Sequence, residues 1–130
     1  MKKTALVLCM IAASVTAAAA NDGEFPFGTE MTLDARPMPG SKRIPNLEIG
    51  DKGEVVLELW CKGGKGQFSV ANDTVIFVPG AMEDRQCAPE RAAADDAFLA
   101  TLADASGWRR QGNIVQFMGP KVLRFRINTN

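Results

Sequence analysis

The sequence predicts an α+β domain: a small antiparallel, barrel-like sheet of about six or seven strands with one helix. Three observations predict it. Short runs alternate apolar and polar residues, Gly, Pro, Asn and Asp punctuate those runs, and one alanine-rich stretch carries helical spacing.

Taken in order, the chain opens with Met1-Lys2-Lys3-Thr4, an apolar run from Ala5 to Ala13, and small residues ending at Ala20 before Asn21. A basic start, a short apolar middle and a small-residue end predict a signal peptide over residues 1–20, cut between Ala20 and Asn21. The apolar run is about half the roughly 20 residues needed to span a bilayer, so no membrane span is expected after cleavage. Cys9 lies inside that run and is expected to be discarded with it.

Residues 21–45 form an N-terminal strand and a Pro/Gly-rich loop, and residues 46–130 form the main body of a single domain. Thr29–Leu33 reads as a strand, and Arg36-Pro37-Met38-Pro39-Gly40 as a loop, because two prolines block helix and ladder pairing alike. Alternation begins at Leu47-Glu48-Ile49, turns at Asp51-Lys52-Gly53, and resumes over Glu54–Trp60 with Val55, Leu57 and Leu59 on one face. Lys62-Gly63-Gly64-Lys65-Gly66 reads as a flexible turn; a phosphate-binding loop would need a Lys-Ser/Thr pair opening a helix, and strand-like Gln67–Val70 follows instead. Asn72-Asp73 is a hairpin turn into Thr74–Val78, which Pro79-Gly80 is expected to end. Pro89, Glu90 and the alanines after them open a helix reaching Ala105, with Phe98, Leu99 and Leu102 as its apolar stripe and Gly107 as its stop signal. Asp95 and Asp96 point about 100° apart on that helix, so they read as a solvated face rather than paired catalytic carboxylates. Asn113–Met118 and Lys121–Ile127 are the closing strands, joined at Gly119-Pro120, with Arg124 and Arg126 outward.

Charge and cysteines bound the class further. Losing the leader removes two of the 15 basic residues and none of the 15 acidic ones, leaving a net charge of about −2. That balance predicts no partnership with nucleic acid and no general affinity for an anionic membrane surface. Lys42-Arg43 and Arg109-Arg110 read as solvated loop and strand-edge residues. Cys61 and Cys87 remain of the three cysteines, and in an oxidising compartment an even count reads as a disulfide, two buried free thiols being the alternative.

Several segments, in this order, resemble the META domain, the family of HslJ-like envelope and secreted proteins. Phe27-Gly28-Thr29-Glu30-Met31-Thr32-Leu33 resembles the family's Gly-Thr-x-Trp-x-Leu opening, with Met31 where tryptophan is usual. Pro45-Asn46-Leu47-Glu48-Ile49 resembles its Pro-x-Leu-x-Phe strand, and Cys61 with Gly66-Gln67-Phe68-Ser69-Val70 resembles its Cys-Asn-Arg-Phe-Ser-Gly-x-Tyr segment. Cys87-Ala88-Pro89 leads into the acidic, alanine-rich helix, and Gln111–Phe117 with Val122–Phe125 resemble the closing strands. Lys62-Gly63-Gly64 and Glu83-Asp84-Arg85-Gln86 depart from the family pattern, so any surface those segments share in the family is altered here. The resemblance implies a lipocalin-like small barrel with one helix packed across it, a role in the envelope or in stress, and no defined reaction.

The inventory leaves little chemistry. The chain has no histidine and no tyrosine, which removes the commonest general base, the commonest metal ligand and a phenolic acid. No catalytic residue, metal site or cofactor is expected; a carboxylate-only enzyme such as a glycosidase is the formal exception. The expected function is a non-catalytic, exported interaction module, periplasmic or secreted, monomeric, with an envelope protein as the expected kind of partner. Two alternatives stand beside it: a barrel binding a lipid or small molecule, and a secreted protease inhibitor using the 62–66 segment, with Lys62 and Lys65 as candidate contacts.

Overall fold

Alternating strands can bury one face only by packing it against another, and here they do so by closing on themselves. The computed structural model describes Ile11 and residues 23–129, so the cleavage position between Ala20 and Asn21 lies outside the described residues. The elements are β1 (Thr29–Leu33), β2 (Asn46–Ile49), β3 (Glu54–Glu58), β4 (Gly63–Ala71), β5 (Thr74–Met82), α1 (Pro89–Ala103), β6 (Gly107–Gln111), β7 (Ile114–Met118) and β8 (Leu123–Ile127). Each strand pairs antiparallel with the next, and β8 pairs with β1, Met31 opposite Ile127, to close the barrel.

The interior is filled by the expected faces. Met31, Leu47, Leu57, Leu59, Val115, Phe117 and Phe125 are wholly buried. Phe68 stacks on Phe117 at 5.3 Å, and Phe125 meets Phe117 edge-on at 5.6 Å. Each such apolar side chain contributes roughly 1.5–3 kcal/mol on burial. Phe25, just before β1, closes the barrel end where β4 turns into β5. Its ring lies 5.3 Å from Trp108, 5.6 Å from Phe68 and 6.3 Å from Phe117. Trp108 is anchored there through its indole N–H, which donates to the carbonyl of Asn72 at 2.7 Å.

The opposite end is covered by α1. Pro89 occupies its first turn, where a missing N–H costs nothing, and Glu90 adds negative charge at the positive end of the helix. Phe98 and Leu102 are buried, and Phe98 meets Phe125 edge-on at 6.1 Å. The helix stops at Ala103, two residues before the expected end, and the Asp104 amide bonds back to the carbonyl of Ala100.

Three expectations are corrected. The strand count is eight, because Gly107–Gln111 forms β6, which the alternation missed: only Trp108 supplies a buried apolar side chain there. β5 continues past Pro79-Gly80 to Met82. Proline is tolerated because β5 and β6 share a single pair, Thr74 with Gly107, leaving Pro79 no ladder to interrupt on that side. Gly63–Gly66 is strand rather than flexible turn. A Cβ at Gly66 would sit 2.6 Å from the Phe77 ring, and one at Gly64 would collide with the Met82 sulfur, so the glycines there serve close packing.

Candidate functional site

Turning β3 into β4 within a few residues leaves consecutive main-chain N–H groups without strand partners. The amides of Trp60, Cys61 and Lys62 all donate to the carboxylate of Asp95, at 2.7, 3.1 and 2.8 Å. Asp95 is wholly buried, and no other charged or polar residue in the described chain is buried with it. Its expected place on a solvated face is therefore corrected, whereas Asp96 is exposed as expected. The signal was present in the sequence. Asp95 precedes Phe98, Leu99 and Leu102 by three, four and seven residues, which sets it on the buried stripe of the helix.

The same turn is fixed covalently. Cys61 and Cys87 are joined by a disulfide, with Cα atoms 5.9 Å apart. The bond ties the β3–β4 turn to the residues entering α1, the helix that carries Asp95. A charged cluster frames it. Arg85 donates to Glu58 at 3.2 Å, to Glu83 at 2.8 Å and to the Cys61 carbonyl at 3.2 Å. Arg43, from the loop between β1 and β2, pairs with Glu58 and donates to the same Cys61 carbonyl at 3.3 Å. Hydrogen bonds to Glu58 first, and to Glu83 second, raise the Arg85 pKa above the ordinary arginine value.

Lys62 takes part through its amide, and Lys65 lies exposed on β4 opposite Val56. Lys62 therefore sits in the tight β3–β4 turn and Lys65 within a strand paired on both sides, rather than both on a protruding loop. Chemically, Asp95 is saturated by three amides and Glu58 by two arginines, an arrangement suited to holding segments together. Among the described residues, no group of three or more His, Cys, Asp or Glu side chains could hold a metal. Over β1–β3 the outer surface carries a groove of about 570 Å³ lined by Glu30, Glu48, Asp51 and Glu54 among others.

A closed eight-stranded meander with a helix over one end and a disulfide at the helix entry defines a small capped β-barrel. The META domain model matches residues 28–126, and the chain belongs to that family. A solved NMR structure of a protein from Burkholderia xenovorans is similar in fold, with a TM-score of 0.64 at 15% identity, over 93% of this chain and 100% of that one. Comparison with curated proteins finds no match.

Proposed function

We propose that this chain is an exported, non-catalytic META-domain module, periplasmic or secreted, that acts by contact at the cell envelope under stress. One observation carries the reading: the interior is packed by its own side chains and sealed at both ends, by Phe25 and by α1, which leaves the outer surface for recognition. The buried aromatic stack weighs against a lipid-binding barrel, because ligand sites in barrels need unfilled interior. The inhibitor reading loses its motivating loop, since Gly63–Gly66 belong to β4. The disulfide, and the lack of any helix long and apolar enough to cross a membrane among the described residues, agree with an extracytoplasmic domain.

The test is cell fractionation followed by intact-mass measurement with and without alkylation. The expected product begins at Asn21 and carries no alkylatable thiol. An uncut chain in the cytosol with Cys61 and Cys87 both free would overturn the proposal. A deletion strain scored under heat, detergent and antibiotic stress tests the physiological half, and equal fitness in every condition would remove the stress role.

A further inference from the structure

The near-neutral total charge conceals two outer faces of opposite sign. On β1–β3 the outward positions include Glu30, Glu48, Glu54 and Glu58, with Glu30 directly opposite Glu48. On β6–β8 they include Arg109, Arg124 and Arg126 and no carboxylate. The register places Arg109, Gln116 and Arg124 in one row across three strands, and Gln111, Ile114 and Arg126 in the next. Cross-strand neighbours lie roughly 5 Å apart and successive outward residues roughly 7 Å apart, so three guanidinium groups cover a patch of roughly 10 by 7 Å.

Folding alone does not account for this concentration. Among the described residues the side chains of Arg109 and Arg126 make no ion pair or hydrogen bond, while Arg124 keeps one bridge, to Asp34 at 3.2 Å. Clustered like charges repel, so the face carries a cost that an anionic partner would relieve.

From this we infer that the β6–β8 face docks the barrel onto an anionic phospholipid surface. Guanidinium forks match phosphate oxygens bidentately. The depression bounded by Arg109, Gln116 and Arg124 measures about 110 Å³, well below the roughly 300–1,000 Å³ of a small-molecule pocket. A single small anion is therefore not enclosed, whereas a surface presenting many phosphates meets all three arginines at once. Val122, half-exposed two residues before Arg124, adds an apolar contact at the same face. An acidic protein partner would need an apolar pocket for an anchoring side chain, and the depression here is lined by arginine and glutamine with Ile114 as its one apolar residue. Glu48 and Glu54, on β2 and β3, lie further round the barrel, with β1 between them and β8. The inference rests on the exported-module reading only for where such a surface is met. Vesicle binding tests the face and leader processing tests export, so either can fail without the other.

The experiment is co-sedimentation of residues 21–130, disulfide intact, with vesicles. One set is pure phosphatidylcholine, and in the other half the lipid is phosphatidylglycerol. Binding is expected to the anionic set alone, and to be abolished at about 0.5 M salt. The triple variant R109Q/R124Q/R126Q is expected to bind about 100-fold more weakly, roughly fivefold per arginine. The single variants R109Q and R126Q, exposed and unpaired, provide the same readout if the triple variant does not fold. E48Q/E54Q is expected to bind like the unmodified protein, because those residues lie on the other face. Undiminished binding by the arginine variants would overturn the inference, and a tightening by E48Q/E54Q comparable per charge to the arginine loss would assign binding to net charge instead of this face. Release by millimolar inorganic phosphate would reassign the face to a small anion, and tighter binding to an oligonucleotide would reassign it to nucleic acid.

Discussion

The carboxylate of Asp95 in α1 accepts the main-chain N–H of Trp60 at 2.7 Å, across 35 residues of sequence. With the amides of Cys61 and Lys62 on the same carboxylate, one helical side chain satisfies a whole turn of the sheet. Hydrogen bonds to a charged group contribute about 1.5–3 kcal/mol each, and stranding buried amides costs more than the mean bond. D95A is therefore expected to lower stability by about 3–5 kcal/mol, read from the urea midpoint. D95N, which replaces one acceptor oxygen with a donor, is expected to cost less. A loss below about 1 kcal/mol for D95A would show that water satisfies the turn equally well.

Reduction of Cys61–Cys87 removes a crosslink between residues separated by 26 positions. The loop-entropy relation gives about 3.5 kcal/mol for a loop of that size. Because Asp95 holds the same turn non-covalently, the reduced protein is expected to stay folded at 25 °C with a lowered melting temperature. Loss of the Trp108 fluorescence signature on reduction alone would contradict that.

Phe25 belongs to the core although it precedes the first strand. F25A is expected to cost about 3–5 kcal/mol, the range for emptying a buried aromatic site. Its T-shaped contact with Trp108 supplies a local reporter, and a red-shifted tryptophan emission in the folded variant is the expected sign. Removing residues 21–27 should cost at least as much. Unchanged stability in either variant would mean that Phe25 does not plug the barrel in solution.

Gly66 faces the Phe77 ring and the Val78 carbonyl, where an added methyl would lie at 2.6 and 3.0 Å. G66A is expected to destabilise by about 1–3 kcal/mol, the usual cost of overpacking. Gly112 gives the contrast. It has nothing within 4 Å, so G112A reports only backbone strain at its φ of +57°. Equal losses at the two positions would assign the Gly66 effect to strand propensity instead of contact.

Much of this was legible in the residues themselves. Val55, Leu57 and Leu59, then Val115 and Phe117, then Phe125 and Ile127, announce their faces because a strand's side-chain period of two needs no partner to be read. Asn72, at the expected hairpin turn, has a φ of 54°, the left-handed conformation that asparagine tolerates. The pairing of Cys61 with Cys87 followed from parity once Cys9 was assigned to an expected leader. β6 escaped because Trp108 is its sole deeply buried side chain and Arg109-Arg110 looked like an edge. The Pro79-Gly80 pair hid the length of β5, because local chemistry cannot say that a strand lacks a neighbour on one side.

By itself, then, the sequence determined the local periods, the residues able to enter a core, the single helix and the absence of histidine and tyrosine chemistry. Tertiary structure alone decided which distant groups meet. It buried Asp95 beneath a turn 35 residues earlier, brought Arg43 and Arg85 together on Glu58, and assembled Arg109, Arg124 and Arg126 on three strands whose outward positions hold no carboxylate. The physical reason is range. Alternation and turn chemistry act over a few residues, whereas hydrogen bonds and charge act through space, across distances that only the closed barrel sets.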